Sequence, residues 1–248
     1  MVDDEWVRSS LNQKGVMVKQ FSNVSQAFIR DAASATHDLI DMGCAYGIAT
    51  LAVLEMKKHI IACDLEQEHL AILKQETPED LLPYLELRQG YFPYDFDFEK
   101  STISGVHCSY VLHFLTGEEV TLALKSVYDW LVPEGCFYLS AATPYQKSLT
   151  FIDEFNRCEV QGEDFPGQIN LKTMSQFIRQ ERLHCIPENV LPDFTHVFTI
   201  EILTKALKRA GFTIENAHYF DINFPEQLDH FFGGNGRGFL GIIARKPC

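Results

Sequence analysis

The sequence predicts an α/β fold, a doubly wound, seven-stranded and mostly parallel sheet with helices on both faces and a helical cap inserted after the fifth strand. Three observations lead there. Short apolar runs alternate with stretches of helical periodicity, as in parallel sheets covered on both faces. A glycine-bearing turn separates the first such run from the first helix of the alternating pattern, within "LIDMGCAYGIATLAVLEMKKHIIACD" (39–64). The alternation fails between Thr143 and Thr199, a gap far longer than an ordinary connection, and then resumes.

Taken in order, residues 16–35 read as a helix, because Met17, Phe21, Val24 and Phe28 form one stripe at spacings of four, three and four. Core packing explains such a stripe; Phe21 is the residue on it that could act in a lid. Leu39 and Ile40 belong to a short buried strand that stops at Asp41. Ile48, Leu51, Ala52 and Glu55 then fall at helical spacing, and His59 to Cys63 form a second buried run ending at Asp64. Val120, Leu124, Val127 and Leu131 mark a further helix, ended by Pro133 and Gly135, before the strand "CFYLSA". In the long insertion, Tyr145, Phe151, Phe155, Phe165, Phe177, Phe194 and Phe198 supply more apolar surface than a disordered linker carries, so an ordered segment is expected, with short helices over 147–159 and 173–182 around the turn-like "GEDFPGQ". The glycine-rich "FFGGNGRGFLGIIARKP" suggests a phosphate loop, but no helix opens after it; Phe239 to Ala244 read as a strand, so a flexible connection is the better reading.

The turn after the first strand discriminates between ligands. A dinucleotide site needs G-x-G-x-x-G, whose second glycine lets the backbone approach a pyrophosphate. Here Gly43 is followed by Cys44, Ala45, Tyr46 and Gly47, so a methyl group stands where the second glycine belongs, and no G-x-x-x-x-G-K-[ST] loop occurs in the chain. Asp64, at the end of the second strand, stands where a carboxylate can accept hydrogen bonds from ribose hydroxyls. The pocket is therefore expected to take a nucleoside without phosphates.

With D-x-G-x-x-x-G at Asp41, Gly43 and Gly47, and Asp64 closing the next strand, the chain resembles the class I S-adenosylmethionine-dependent methyltransferases. Further segments match in order. "GYFPYDFDF" (90–98) resembles the family's segment beside the adenine, "VHCSYVLHFL" (106–115) its fourth strand and turn, "WLVPEGCFYLS" (130–140) its turn and fifth strand, and "LTKALKRAGF" (203–212) its last helix. The likeness covers roughly residues 36–143 and 199–245. It implies S-adenosyl-L-methionine as cofactor, S-adenosyl-L-homocysteine as product, and a cofactor site formed by Asp41, Gly43, Cys44, Ala45, Gly47, Asp64, Leu65, Tyr91, Phe92, Ser109 and Tyr110. Tyr91 stands where many members carry an aspartate toward the adenine amino group, which leaves Phe92 packing and backbone groups to replace that contact. Ser104 likewise replaces the aspartate that often opens the fourth strand. An insertion after the fifth strand commonly covers the substrate side of the pocket in this family.

The alternating pattern, its interruption and two closing strands after Gly211 give an expected strand order of 3-2-1-4-5-7-6, with only the last-formed strand antiparallel. The chain is read as one domain: an N-terminal helical lid (1–35), a cofactor-binding core (36–143), a cap (144–198), and a closing helix and strands (199–248).

Composition narrows the partners. Twenty-one Lys plus Arg against 34 Asp plus Glu give a formal charge of −13, which repels phosphate backbones, so no nucleic acid is expected. No apolar run reaches a membrane span and no signal-like start is present, so no membrane partner and a cytoplasmic location are expected. The seven cysteines lack C-x-x-C pairs and read as reduced thiols, four of them in or beside buried strands. No metal is expected, for there is no H-E-x-x-H, paired cysteine or calcium-loop pattern, and no G-x-S-x-G elbow of a hydrolase is present. The expected partner is a small, apolar or aromatic acceptor, and a homodimer is compatible with the sequence.

Methyl transfer from a sulfonium needs a lone pair in line with the methyl group, so positioning and desolvation supply much of the catalysis. If the acceptor is a hydroxyl or an acidic carbon, a nearby base helps, and His113, just past the fourth strand, is the best-placed histidine; His184 and His196 rank below it, and Asp95 and Asp97 read equally well as solvated loop charges. Two other classes compete: a protein that binds S-adenosylmethionine without turning it over, and a nicotinamide-dependent oxidoreductase, which Ala45 and the glycine spacing disfavour.

Overall fold

The computed structural model describes residues 7–9, 11, 16–170, 176–177, 194–223 and 233–248. Its elements in chain order are β1 (Val7–Ser9), β2 (Val16–Val18), α1 (Asn23–Ala32), β3 (Asp38–Met42), α2 (Ile48–Leu54), β4 (Ile60–Asp64), α3 (Gln67–Glu76), β5 (Leu85–Gln89), β6 (Ile103–Ser109), α4 (Gly117–Trp130), β7 (Leu131–Ala142), α5 (Ile152–Val160), β8 (Gln168–Asn170), β9 (Phe194–His196), α6 (Ile200–Arg209), β10 (Thr213–Phe220) and β11 (Phe239–Arg245).

Seven strands form the main sheet in the order β10-β11-β7-β6-β3-β4-β5. Numbered within the sheet alone, this is 3-2-1-4-5-7-6 read from the other edge, as expected. β3, β4, β5, β6 and β7 pair in parallel, whereas β11 runs antiparallel to both β7 and β10. Alternation along β3 and β4 divides the core. Ile40, Met42, Ile61 and Cys63 join Val120, Leu124, Val127, Leu203 and Leu207 of α4 and α6 in one cluster. Leu39 and Ile60 turn to the other face, against Val24 and Phe28 of α1 and Val53 and Leu54 of α2. Leu70 and Leu73 of α3 pack there on Ala62.

Residues 16–35 depart from the expected single helix. Val16–Val18 is a strand paired antiparallel with Val7–Ser9, and α1 starts at Asn23. The β-branched Val16 and Val18 suit a strand, and Ser22, whose side chain accepts the Ser25 N–H, supplies the N-cap that starts the helix. Val24 and Phe28 are buried, but Phe21, before the cap, is exposed.

The insertion rejoins the core early. Its first helix is α5, over Ile152–Val160, a few residues later than the 147–159 expected; the second expected helix, 173–182, lies largely outside the described residues. Phe151, Phe155, Ile169, Val197 and Phe198 are buried in the same cluster as α4 and α6. The antiparallel pair β8–β9 packs over the start of α4, where Gln168 Oε1 accepts the Gly117 N–H at 3.1 Å. Cys44, Cys63, Cys108, Cys136 and Cys158 are buried and unpaired, and Cys248 is exposed; Cys185 lies outside the described residues. Ser104, in place of the family's aspartate, accepts the His37 N–H at 2.9 Å.

Candidate active site

The candidate crevice is assigned to the carboxyl ends of β3, β4 and β6, because a doubly wound sheet presents its turns, rather than strand edges, at that end. Gly43 and Gly47 both adopt left-handed backbone, φ 71° and 75°, which only glycine takes without penalty. Space forbids a side chain at Gly43 as well: a Cβ there would lie 2.2 Å from Val111 Cγ2. Ala45 and Tyr110 are also left-handed, at φ 47° and 59°, so strained residues stand in both turns that frame the crevice.

The turn's own hydrogen bonds define what it can bind. The N–H groups of Gly43 and Cys44 both donate to Cys63 O, that of Gly47 donates to Cys44 O, and that of Ala45 donates to Asp64 Oδ2 at 2.8 Å. A phosphate loop needs such groups pointing free into the pocket. Here they close on the protein itself.

What the strand ends bring beside the turn is carboxylate. Asp41, 3% exposed, accepts from Thr50 Oγ1 at 2.7 Å on one oxygen and from His107 Nδ1 at 2.8 Å on the other. Asp64, 9% exposed, takes Ala45 N on Oδ2, and Glu66 N at 2.9 Å and His69 Nδ1 at 3.1 Å on Oδ1. An ionised carboxylate offers about four lone-pair directions, so Asp41 keeps one on each oxygen and Asp64 keeps one on Oδ2. Leu65, directly after Asp64, is 41% exposed, an apolar ledge at the end of β4.

Tyr91 and Phe92 divide their roles. Phe92 is buried in the core, its ring 6.3 Å from that of Trp130. Tyr91 donates its hydroxyl to Glu119 Oε1 at 3.0 Å, and burial together with that carboxylate pushes its pKa up to about 12. The other Glu119 oxygen accepts from Thr116 N and Thr116 Oγ1, completing the capping box of α4, so the residue in the family's aspartate position is tied to a helix terminus. Ser109 ends β6 opposite Ser140 of β7, and the Tyr110 N–H donates to Ser140 O at 2.9 Å.

His113 sits in the turn Leu112–Phe114, against which β9 packs. Burial, with His196 close enough to oppose a second charge, holds its pKa down to about 4. His196 is fully buried and also held at about 4; its Nδ1 donates to Leu115 O at 2.9 Å. His113 Nδ1, His196 Nε2 and the Tyr110 hydroxyl are buried without a hydrogen-bond partner among the described residues. Buried polar atoms of this kind are rare and need an explanation. The sequence ranked His196 below His113; only the return of β9 to the turn after β6 brings the two together. His184 lies outside the described residues. Asp95 accepts the Tyr91 N–H at 2.8 Å and so has a structural use. His69 and His107, which hold the two carboxylates, carried no role in the sequence reading. Asp41 and His107 are direct partners in the β3–β6 pairing, a signal invisible until the strands are aligned. His69 could have been found, for it lies five residues after Asp64 in the first turn of the next helix.

Three comparisons bear on this geometry. Residues 39–135 match the family model described as a methyltransferase domain. The carboxy-S-adenosyl-L-methionine synthase of Shewanella piezotolerans is 27% identical over 150 residues, 56% of each protein, so the chain spans about half the length of that curated relative. Two solved structures share the fold over most of the chain. A putative S-adenosylmethionine dependent methyltransferase from Listeria monocytogenes has a TM-score of 0.63 at 18% identity, covering 91% of this chain and 99% of that one. The Burkholderia thailandensis 1,6-didemethyltoxoflavin-N1-methyltransferase, solved with 1,6-didemethyltoxoflavin and S-adenosylhomocysteine, has a TM-score of 0.58 at 18% identity, covering 91% and 78%.

Proposed function

We propose that the chain is a class I S-adenosylmethionine-dependent methyltransferase, a reading supported by the match of residues 39–135 to a methyltransferase domain, and that it transfers the methyl group of S-adenosylmethionine to a small, largely apolar acceptor. One observation carries the reading. The turn after β3 directs its N–H groups inward and leaves carboxylate lone pairs at the crevice. That suits a ligand bearing a ribose diol and an ammonium group, and opposes one bearing a diphosphate, as a nicotinamide dinucleotide does.

In this reading the spare lone pair of Asp64 takes the ribose, Asp41 orients the amino group directly or through water, and Leu65 lies under the base. Cys44, Ala45 and Tyr91 line the cofactor side; Ser109 and Tyr110 lie between cofactor and acceptor. Phe92 supports Tyr91 from the core. The cofactor, when bound, supplies an electrophilic methyl on a sulfonium. The chain's part is to hold the acceptor's lone pair in line and keep water out.

His113 and His196 refine the acceptor class. A histidine with a pKa near 4 is a weak base at neutral pH but a good hydrogen-bond acceptor. The two imidazoles are thus suited to orient an O–H or N–H of a neutral acceptor, whose proton is lost once methylation has made it acidic. The Burkholderia neighbour is an N1-methyltransferase solved with the small molecule 1,6-didemethyltoxoflavin, which is compatible with such a pocket. The segment 144–198 and the N-terminal lid are proposed to close over it.

A second reading has one observation behind it: the curated relative is by name a synthase of a carboxylated S-adenosylmethionine, so the cofactor itself could be the molecule modified. One experiment distinguishes the readings. Protein is incubated with S-adenosylmethionine and fractionated metabolites and followed by mass spectrometry. The first reading expects a metabolite heavier by one methyl group together with S-adenosylhomocysteine; the second expects a heavier form of the cofactor. No product despite tight cofactor binding would leave a binding protein without catalysis. For the site itself, Asp64→Ala should weaken cofactor binding by about 1.5–3 kcal/mol in calorimetry, the worth of hydrogen bonds to a charged group; unchanged affinity in a folded variant overturns the assignment.

A further inference from the structure

Each carboxylate of the crevice is gripped by a buried histidine, and each histidine is gripped in turn by the N-terminal segment. His107 Nδ1 lies 2.8 Å from Asp41, and its Nε2 lies 3.0 Å from Ser25 Oγ of α1. Ser25 Oγ is 3.0 Å from Ser22 Oγ, which is 3.4 Å from Ser140 Oγ of β7. The His107 ring also stacks on Phe28 of α1, with centroids 5.0 Å apart. His69 Nδ1 lies 3.1 Å from Asp64, and its Nε2 accepts the Leu11 N–H at 3.1 Å. Tyr46, in the glycine turn, meets the His69 ring edge-on at 4.8 Å and lies beneath the guanidinium of Arg8 at 3.7 Å.

The proton positions follow from the partners. An ionised carboxylate can only accept, so Nδ1 of each ring carries hydrogen; the Leu11 N–H can only donate, so His69 Nε2 must offer its lone pair. His107 Nε2 meets the Ser25 hydroxyl, which can serve as donor or acceptor and donates whenever that nitrogen carries a lone pair. Two unrelated stretches of chain have thus built the same carboxylate–imidazole–donor relay, one at each end of the proposed cofactor.

We propose that His107 and His69 are positioning residues: each fixes which lone pairs of its carboxylate remain for the cofactor, and each passes the occupancy of that carboxylate to its N-terminal partner, α1 for His107 and Leu11 for His69. This rests on the reading of the crevice as an S-adenosylmethionine site. Fixing a ligand-bearing group through its outer partner is the same device that orients metal-binding histidines, where loss of the partner costs about 10- to 100-fold in affinity. Neither histidine touches the ligand. His107 acts only through Asp41, at the amino-acid end, and His69 only through Asp64, at the ribose.

That division yields a test that general loosening of the fold would fail. Two probes are titrated against the full chain by calorimetry: S-adenosylhomocysteine, which has ribose and amino acid, and 5′-methylthioadenosine, which has only the ribose. In His107→Gln the first should weaken about tenfold and the second less than about twofold. In His69→Gln both should weaken by a similar factor of about ten. Ser25→Ala, which touches neither carboxylate, should repeat the His107→Gln pattern in reduced form. Hydrogen exchange supplies the second half: S-adenosylhomocysteine should raise protection across Asn23–Ala32 in the wild type and lose that effect in His107→Gln. Variants are compared at equal thermal stability, adjusting temperature where needed. Equal weakening of both probes by both variants, or unchanged affinity in both, overturns the proposal while the wild type still binds. If the wild type binds neither probe, the reading of the crevice has failed and this inference with it.

Discussion

The carboxylate of Asp221 accepts the backbone N–H of Gly236 at 2.6 Å, and takes those of Gly234 and Gly238 as well. The glycine-rich stretch that suggested a phosphate loop in the sequence is thus an anion nest whose anion belongs to the chain. Asp221→Ala should cost about 1.5–3 kcal/mol, toward the lower end because Gly236 is exposed, read as a fall in urea midpoint. Millimolar inorganic phosphate should then raise the thermal midpoint of the variant and leave the wild type unmoved at matched ionic strength. Equal responses of the two proteins would mean that the nest does not bind anions.

Gly43 can be tested by separating strain from clash. Gly43→Ala should destabilise through left-handed backbone, about 1–2 kcal/mol, and through the close contact with Val111 Cγ2. Adding Val111→Ala removes the contact, and the single Val111→Ala variant measures the packing that Val111 itself loses from the core cluster. The double variant should therefore recover part of the loss attributed to Gly43→Ala, measured by denaturant unfolding. Full recovery would show that the positive φ costs nothing here; no recovery would show that the backbone alone carries the penalty.

His113 and His196 make stability depend on pH in a defined window. Burial holds both near 4 in the folded chain, against 6.5 in the unfolded one. Between those values the unfolded chain takes up protons that the folded chain refuses, so their contribution is complete above pH 6.5 and declines as pH falls toward 4. Each histidine can contribute a slope of up to about 1.4 kcal/mol per pH unit. Unfolding curves of wild type and His196→Gln should diverge inside this window and run parallel above it. Parallel curves throughout would place His196 outside any desolvated site.

The two phenylalanines of the insertion give a test of the cap. Phe155 is 1% exposed within the main core cluster, so Phe155→Ala should cost about 3–5 kcal/mol by unfolding. Closure is a separate claim. Hydrogen exchange over the insertion should rise in protection when S-adenosylhomocysteine and acceptor are both bound. Protection equal to that of Asp38–Met42, unchanged by ligands, would make the insertion fixed core and send the acceptor in by another route.

The sheet was legible because parallel strands buried on both faces announce themselves as unbroken apolar runs, and Asp41, Gly43, Gly47 and Asp64 have local signatures at fixed offsets. The N-terminal hairpin was not. Met17 falls on the same helical stripe as Phe21, Val24 and Phe28, and only the cap at Ser22, with Val7–Ser9 as a partner strand, decides against helix there. His107, and the pairing of His196 with His113, escaped for a different reason. The roles of His107 and His196 depend on what lies beside them across the sheet or after a long return of the chain, and periodicity carries no information about such neighbours. Phe92 reads from sequence as a residue beside the base; its ring is buried, 6.3 Å from that of Trp130.

β11 is the last strand in the sequence, yet it lies between β7 and β10. During synthesis, therefore, β7 must wait with one hydrogen-bonding edge bare while about a hundred further residues emerge, and β10 has no neighbour to join. A long, apolar, unpaired edge is a template for the wrong partner. The nascent chain should be most prone to aggregate after β7 is made and before Phe239–Arg245 arrives, and substitutions that weaken β11 should lower the yield of folded protein more than they lower its stability once folded.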